Sequence, residues 1–387
     1  MASREGGGGN LQRSVEMHRA IDLFCGAGGL SLGLQQAGFE VVLALDSDPI
    51  AAATYRASFG GHFLEAPIDR VSPDDVLKMA GLAPGDCDVL AAGPPCQGFS
   101  VQRRGSDRDD RNHLILEILR FVETIQPKFF LIENVTGLTS RRGRNFLDQL
   151  LNRAERMEYA LQITKLNAAD FGVPQERRRV FLLGQSHSDT SGARFAFPEP
   201  QCSRDKYRTV RSAIGDLPSP PADGSPHPDY PLHYREGRLS AKNLERFTHI
   251  PEGGGRDDLP VHLRLPCHVN NPSHRHKDVY GRMAWDMPAP TLTARFDSFS
   301  RGRFGHPVEN RTITLREGAR LQTFPDDFGF FGNREQVARQ IGNAVPPLLA
   351  QALSEKILEC LGRPPTLTAS GPRALPREQL GLPGIER

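Results

Sequence analysis

A strand, a glycine-rich turn and a helix follow one another near the start of the chain and limit what it can fold into. Residues 19–24 predict a strand, residues 25–29 include three glycines, and residues 30–37 carry apolar side chains at helical spacing. A second apolar strand over 41–45 comes next. Because strand, helix and strand in this order build a parallel sheet covered by helices, the pattern predicts an α/β fold.

The glycine turn and the acidic end of the second strand favour a cofactor that carries a nucleoside. Glycines let a ligand approach the backbone closely, and Asp46 stands where a ribose hydroxyl pair would be held. The turn alone fits a plain structural turn equally well, so the argument needs both features. The lysine and hydroxyl of a P-loop are missing, which disfavours ATP hydrolysis. Asp69 is a third acidic candidate, with a turn or capping carboxylate as its alternative.

A cysteine lies in a stiff loop that follows another apolar strand. Residues 88–92 predict a buried strand, and the loop 93–100 (GPPCQGFS) comes directly after it. Two prolines and two glycines end regular structure there, at the edge of an α/β sheet where ligands bind. The alternative for Cys96 is a small apolar side chain in a turn. Partners elsewhere in the chain favour a nucleophile.

One such partner is an acidic residue at the end of a neighbouring predicted strand. Glu133 follows the strand over 128–132 and is expected to face the Cys96 loop. A glutamate there could protonate or hydrogen-bond a ring nitrogen of a substrate if burial raised its pKa. Its alternative role is to cap the helix that follows.

Basic residues supply the other partners. Arg177 and Arg179 alternate before a strand and should point to one face, with Arg178 on the other. Two guanidiniums beside the cysteine loop would bind a phosphate or a carbonyl and favour a thiolate. The charged stretch 101–112 is either a solvated loop or a lid that closes over a polyanion, with Arg103 and Arg104 near the bound strand.

Composition excludes several classes of protein. The 387 residues suffice for two domains, and a net charge of +2 gives no overall basic signal. Six cysteines without paired spacing argue against a disulfide framework and fit a reducing compartment. The sequence shows neither an apolar run long enough for a membrane span nor a signal-peptide pattern. We therefore expect a soluble protein of the cytoplasm.

Over residues 19–361 the chain resembles the cytosine-5 DNA methyltransferases of the bacterial type. The segments that carry the resemblance are 22–29 (DLFCGAGG), 93–100, 133–135 (ENV), 175–179 (QERRR), 314–328 (TLREGARLQTFPDDF) and 340–346 (QIGNAVP). The resemblance implies a Rossmann-like methyltransferase sheet that binds S-adenosylmethionine. It also implies a smaller inserted target-recognition domain that binds double-stranded DNA.

The family's mechanism gives each catalytic candidate a role. The Cys96 thiolate attacks carbon 6 of a flipped cytosine, which makes carbon 5 nucleophilic toward the methyl group of the cofactor. Glu133 contacts the ring nitrogen and the exocyclic amine. Arg177 and Arg179 help to position the cytosine and the catalytic loop.

The resemblance also assigns binding residues. Cofactor contacts are expected from Phe24, Gly26, Ala27, Gly28, Gly29, Asp46, Ser47, Asp69, Pro94, Asn343 and Val345. DNA contacts are expected from Gln97, Ser100, Arg103, Arg104, Thr293 and Arg295. Two positions depart from the family: it often has glutamate at Asp46, and its usual Asp-Ile pair appears here as 67–69 (PID), which leaves the assignment of Asp69 open.

The predicted domain organisation has five parts. They are a disordered tail (1–17), the first part of the catalytic domain (18–185), the target-recognition domain (186–312), a return segment that completes the catalytic domain (313–361) and a second disordered tail (362–387). The target-recognition region carries a crowd of possible zinc ligands, which are His262, Cys267, His268, His274 and His276. Their spacing matches no standard finger and the family needs no metal, so we expect none.

Two other functions stay open at this point. An RNA methyltransferase could use the same cysteine on tRNA, but the Cys-Phe-Thr signature of the tRNA-acting branch is missing. A catalytically silent DNA-binding homologue would not need Cys96, Glu133 and the two arginines. The resemblance makes a monomer and an accompanying restriction endonuclease plausible, whereas the recognised DNA sequence is not deducible from these residues.

Overall fold

The computed structural model describes residues 17–95, 113–141, 143–189, 193–235, 239–270 and 278–362. Its strands are β1 (His18–Leu23), β2 (Phe39–Asp46), β3 (Phe63–Glu65), β4 (Val89–Ala92), β5 (Phe129–Val135), β6 (Tyr159–Asn167), β7 (Gln175–Glu176), β8 (Arg178–Ser186) and β9 (Ala289–Pro290). Its helices in the first half are α1 (Gly29–Ala37), α2 (Pro49–Phe59), α3 (Pro73–Ala80), α4 (His113–Ile125) and α5 (Arg144–Arg156). Those in the second half are α6 (Val210–Ile214), α7 (Ala241–His249), α8 (Pro266–Val269), α9 (Leu315–Leu321), α10 (Arg334–Asn343) and α11 (Pro347–Cys360).

One sheet of seven strands organises the molecule, in the order β3-β2-β1-β4-β5-β8-β6. The first five strands in this order pair in parallel, whereas β8 runs antiparallel to both β5 and β6. The chain leaves β1 toward β2 and later returns to β4 on the other side of β1. A crevice therefore opens at the carboxyl ends of β1 and β4, the place where such sheets bind ligands. The expected α/β fold is confirmed.

Alternate residues of the central strands bury two separate apolar layers. Ile21 and Leu23 join helices α3, α4 and α5 on one face, and Ala20 joins α1 and α11 on the other. Both faces of the sheet are thus covered, which explains why the strands are continuous apolar runs rather than alternating ones.

Close packing of α1 against the chain's last helix fixes the return segment on the sheet. A Cβ atom at Gly33 would lie 2.3 Å from Cβ of Ala350, and one at Gly29 would lie 2.3 Å from the carbonyl oxygen of Val345. Only glycine permits this approach. As a result Val345 lies directly against the glycine turn that opens α1. Pro346 and Pro347 separate the last two helices, since α10 ends at Asn343 and α11 begins at Pro347.

In its described parts, the region from 193 to 312 is made of short helices and irregular chain packed around their own apolar residues. Phe247 stacks on Phe299 with ring centroids 3.6 Å apart, in a cluster with Ile250, Leu259 and Tyr280. A second cluster joins α6 to α9 and α10. Strands β7 and β9 pair in parallel and tie the end of this region to the segment that precedes β8. The predicted domain boundaries remain predictions.

Two expectations need adjustment in detail. Glu133 lies within β5, which continues to Val135, and not just beyond the strand's end. The segment that follows is a single 3₁₀ turn from Thr136 to Thr139, and no Glu133 bond that caps it is seen among the described residues. No described helix combines the length and apolar character needed to cross a membrane.

Candidate active site

A cavity of about 710 Å³ opens at the carboxyl ends of the central strands. It is enclosed by the turn after β1, the end of β2, the loop after β4, the end of β5 and the end of α10. Twelve of the predicted site residues line it: Phe24, Gly26, Ala27, Gly29, Asp46, Ser47, Pro94, Glu133, Arg177, Arg179, Asn343 and Val345. Residues from both ends of the chain therefore meet around one space, large enough for a nucleoside cofactor.

The turn after β1 takes its shape from residues in the left-handed region of the backbone. Phe24 has a φ of 57°, Gly26 of 54° and Gly28 of 93°. A Cβ at Gly28 would lie 2.2 Å from the Phe59 ring, so this position requires glycine on two grounds. Gly28 lies behind the turn and supports it, while its neighbours face the cavity. Gly29 and Leu30 at the amino end of α1 line the cavity, and the first backbone N–H groups of a helix favour an anionic group nearby.

Asp46 at the end of β2 holds the turn in place. Its Oδ2 accepts a hydrogen bond from the Gly26 backbone N–H at 2.8 Å, and its Oδ1 accepts one from Asp48 N–H at 2.9 Å. Burial raises the pKa of the Asp46 carboxyl, and these two bonds oppose the rise. Since each carboxylate oxygen can accept more than one hydrogen bond, both can still receive ribose hydroxyls.

The rim beside Asp46 is closed by an ion pair between distant parts of the chain. Arg339 on α10 donates from Nη2 to Asp48 Oδ2 at 2.9 Å. Asp48 Oδ1 accepts from the Ile50 backbone N–H at 2.9 Å and so caps α2. Both side chains line the cavity. The end of α10 is thereby held against the cofactor-binding half of the sheet.

Asp22 in β1 is a cavity residue that the sequence analysis did not single out. It is fully buried, and its Oδ2 accepts from Ser31 Oγ, which in turn accepts from the Tyr55 hydroxyl at 2.9 Å. Burial raises the pKa of Asp22 to about 7. A charged residue between Ile21 and Leu23 in a strand predicted to be buried was the available signal, because such a carboxyl needs a reason to be there.

Glu133 and Arg179 form an ion pair on the opposite wall. The Nε of Arg179 lies 3.0 Å from Oε1 of Glu133, and both side chains are largely buried. Antiparallel pairing of β5 and β8 places Arg179 opposite Val135, two residues from Glu133. The expected alternation is confirmed, since Arg177 and Arg179 line the cavity and Arg178 is exposed.

Arg177 differs from Arg179 in what it touches. Its side chain is 1% exposed, and Nη1 donates to the carbonyl oxygens of Leu292 and Gly342, each at 3.0 Å. Burial lowers the pKa of Arg177 well below its usual value, and the charge of Arg179 adds to the effect. The guanidinium thus joins β8, the end of the 193–312 region and the end of α10 at the back of the cavity.

Cys96, Gln97, Ser100, Arg103 and Arg104 lie outside the described residues, although Pro95, which precedes Cys96 in the sequence, lines the cavity. Asp69 lies on an exposed 3₁₀ turn and is not among the residues that line the cavity.

The remaining predicted residues lie beyond the cavity wall. Arg295 pairs with Asp297 at 3.2 Å and with Glu335 at 3.1 Å, and Thr293 packs beside Gly342. In the described part of the chain no three potential metal ligands cluster, and of the histidines suggested for zinc His274 and His276 lie outside it.

Solved structures share this fold. A DNA modification methyltransferase encoded within an E. coli prophage superposes with a TM-score of 0.65 at 26% identity, covering 89% of this chain and 100% of that one. The Dnmt2 methyltransferase of S. pombe gives a TM-score of 0.56 at 19% identity over 89% of this chain and 100% of its own, a likeness that concerns the fold alone. The expected Rossmann-like methyltransferase fold is confirmed.

Curated relatives match over nearly the same span. The chain is 38% identical over 344 residues to the Type II methyltransferase M1.HphI of Haemophilus parahaemolyticus, covering 88% of this chain and 86% of the relative. It is 33% identical over 431 residues to the Type II methyltransferase M.AgeI of Thalassovita gelatinovora, with 88% and 99% covered. The family model for C-5 cytosine-specific DNA methylases matches residues 18–359. The chain therefore belongs to the C-5 cytosine-specific DNA methylase family, as a DNA cytosine-5 methyltransferase of the Type II restriction-modification class that uses S-adenosylmethionine.

Proposed function

We propose that the enzyme methylates carbon 5 of one cytosine, flipped out of a specific double-stranded DNA sequence, through a covalent bond between that base and Cys96. One observation carries the proposal: the Glu133–Arg179 pair, the glycine turn and Pro95 all line one cavity. Gly93 and Pro94 line the cavity as well, and Cys96 comes directly after Pro95 in the sequence.

The cavity fits the cofactor of the family. Its volume of about 710 Å³, its glycine turn and its two-sided lining by Asp46 and Asn343 suit a ligand with a nucleoside at one end and an amino acid at the other. When bound, S-adenosylmethionine supplies a methyl group on a positively charged sulphur. We assign the turn 24–29, Asp46, Ser47 and Pro94 to one side of it, and Asn343 and Val345 to the other.

The side chains have separate tasks in the reaction. Cys96 as thiolate forms a bond to carbon 6 of cytosine, and the displaced electron pair makes carbon 5 nucleophilic. Glu133, as the carboxylic acid, donates its proton in a hydrogen bond to the ring nitrogen that gains electron density, while Arg179 holds the Glu133 carboxyl in place. After methylation a base removes the carbon 5 proton, the bond from carbon 6 to sulphur breaks, and Cys96 leaves as thiolate.

The burial of Glu133 supports a flipped base. Glu133 is only 9% exposed and lines the cavity, so a cytosine stacked within a duplex would not reach it. We assign Gln97, Ser100, Arg103, Arg104, Thr293 and Arg295 to contacts with the DNA around the flipped base. Arg295, which pairs with Glu335 in the free protein, would then bind a DNA phosphate in place of the Glu335 carboxylate.

The names of the relatives support a proposal about the enzyme's setting. Several are named Type II methyltransferases, a class defined by restriction-modification systems. We propose that this enzyme acts as a monomer in the bacterial cytoplasm, on nucleoid DNA, and protects sites that a partner endonuclease cuts.

The test is a methyl-transfer assay with labelled S-adenosylmethionine, with duplex DNA and tRNA offered separately. We expect label on DNA, at one recurring cytosine context by bisulfite sequencing, and none on tRNA. Cys96→Ser should lose turnover at least about 1,000-fold, since the remaining groups cannot replace the nucleophile. Cys267→Ser, which changes an exposed cysteine, is the matched control. Full turnover in Cys96→Ser, or label on tRNA alone, refutes the proposal.

A further inference from the structure

A series of buried amide hydrogen bonds begins at Leu292, in the last part of the 193–312 region. The backbone N–H of Leu292 donates to Oε1 of Gln175 at 2.8 Å, and Nε2 of Gln175 donates to Oε1 of Gln322 at 2.9 Å. Neither glutamine exposes any surface. Both ends of the Gln175 amide are therefore in use, one toward each side.

The chain ends at the wall of the cavity. Nε2 of Gln322 donates to the carbonyl oxygen of Ile341 at 2.6 Å and to that of Ala344 at 3.3 Å. Asn343, Ala344 and Val345, which lie two to four positions after Ile341, line the cavity from the side of α10. In each hydrogen bond of this series the donor lies on the Leu292 side and the acceptor on the side of the cavity wall.

A second connection runs beside the first. Arg177 donates to the carbonyl oxygens of Leu292 and Gly342, both at 3.0 Å. Gly342 also packs so closely on the chain at Thr293 that an added Cβ would lie 2.1 Å from the Thr293 carbonyl oxygen. Residues 292–293 and 341–344 thus contact each other directly and through two polar bridges.

We propose that Gln175 and Gln322 are positioning residues that keep the cofactor-side wall in register with the end of the target-recognition region. A movement of Leu292 leaves a buried amide of the chain without its partner unless residues 341–344 move with it, and such a loss is costly. DNA that orders the target-recognition end therefore also orders the wall that holds the cofactor. By linkage, the cofactor tightens DNA binding by the same factor.

This inference rests on the proposed placement of the cofactor in the cavity. The placement has a separate test, because Asp46→Ala should weaken binding of the product S-adenosylhomocysteine without DNA. If Asp46→Ala binds it normally, the placement fails, and the inference fails with it. If binding is lost there but the coupling described next is insensitive to Gln322, the inference alone fails.

The experiment measures the coupling itself. The dissociation constant of S-adenosylhomocysteine is determined by calorimetry with and without a duplex that carries the cytosine context found by bisulfite sequencing. We expect DNA to tighten binding about 10-fold in the unchanged enzyme. In Gln322→Met the factor should fall below about 3-fold, while affinity without DNA changes less than about 3-fold.

A variant cycle and a control separate positioning from general damage. Gln175→Met should give the same loss, and the double variant no more than either single one, because one chain is broken in all three. Gln162→Met removes the hydrogen bond that the Gln162 side-chain amide donates to the carbonyl oxygen of Phe195. Neither residue lines the cavity, so this variant should keep the full coupling. Thermal unfolding shows which variants are folded. If Gln322→Met does not fold, the coupling measured in Gln175→Met decides the question. An unchanged factor in the folded variants, or no coupling in the unchanged enzyme, overturns the proposal.

Discussion

Single charged side chains at this site differ in what burial does to them. Glu133 and Arg179 form an ion pair across 3.0 Å in a nearly closed space, so each charged group has a partner there. Asp22 has a hydroxyl as its hydrogen-bond partner rather than a cation, and its pKa rises to about 7. The same cavity therefore contains an ion pair on one wall and a carboxyl with a raised pKa on the other.

Replacing Arg179 tests the role of its ion pair with Glu133. In Arg179→Ala the Glu133 carboxyl loses the group that orients it, and we expect kcat to fall about 100-fold. The KM for S-adenosylmethionine should change little, because Arg179 lies on the side of the cavity that we assign to the base. Arg178→Ala removes an exposed arginine from the opposite face and serves as control. Equal losses in both variants would show that the pair with Glu133 has no special role.

The raised pKa of Asp22 predicts how the stability of the protein depends on pH. The folded pKa of Asp22 lies above its ordinary value of 3.8, so the folded state holds the proton more tightly than the unfolded state. Ionisation of Asp22 therefore costs stability as pH rises from about 4 to about 7, by up to about 4 kcal/mol. In Asp22→Asn this cost disappears. Urea unfolding at pH 5 and pH 8 measures the free energy of unfolding of both proteins. Relative to the unchanged enzyme, Asp22→Asn should be more stable at pH 8 than at pH 5, and a difference that does not change with pH would contradict the raised pKa of Asp22.

At the scale of elements, strands with uniform apolar runs and the glycine turn were predictable. The end of β1, the start of α1 and the break between α10 and α11 follow from residue types that fix the backbone. The edge strand β3 has three residues and owes its form to pairing with β2, so no local pattern marks it. Helix α5 buries only Leu150 and Ala154 deeply, with Phe146 and Leu147 partly buried against the same core. The antiparallel direction of β8 depends on chain routing, which side-chain patterns do not encode.

The fit of α1 on α11 can be tested with one methyl group. In Gly33→Ala the new Cβ would lie 2.3 Å from Ala350 Cβ and 2.6 Å from the Pro347 carbonyl oxygen, so the helices must separate. Alanine's better helix propensity gains at most about 1 kcal/mol. Overpacking of this kind costs about 1–3 kcal/mol or more, so we expect a net loss in urea unfolding. Gly61→Ala, where nothing lies within 4 Å, should be neutral. A stabilised Gly33→Ala would contradict the close packing.

At the scale of the whole molecule, the two parts of the site are joined by polar contacts that sequence alone could not pair. Arg177 was predicted to face the cysteine loop, and it does line the cavity, but its bonds to Leu292 and Gly342 link residues more than a hundred positions away. The glutamine chain through Gln322 belongs to the same class. Motifs located these residues in the sequence, whereas their partners depend on how the 193–312 region lies against the sheet.

A buried ion pair at the end of that region gives the last prediction. Arg311 donates from Nη1 and Nη2 to the Glu317 carboxylate, both at 2.8 Å, and both side chains are at least 95% buried. The pair fixes the end of the 193–312 region to the first turn of α9, where Glu317 also accepts from the Thr314 backbone N–H at 2.6 Å. It lowers the pKa of Glu317 to about 2, so its contribution to stability is present above pH 4.5 and is lost as pH falls toward 2.

Arg311→Met should therefore leave Glu317 buried without its cation and destabilise the protein by about 3–5 kcal/mol at pH 7. Arg235→Met is the matched control, because Arg235 is half-exposed and pairs with Glu309 at 3.5 Å, a contact worth about 1 kcal/mol or less. Urea unfolding measures both. In Arg311→Met the deficit should shrink as pH falls from 5 toward 3, since protonated Glu317 no longer needs a cation. A deficit that is the same at both pH values would mean that Arg311 acts through packing alone.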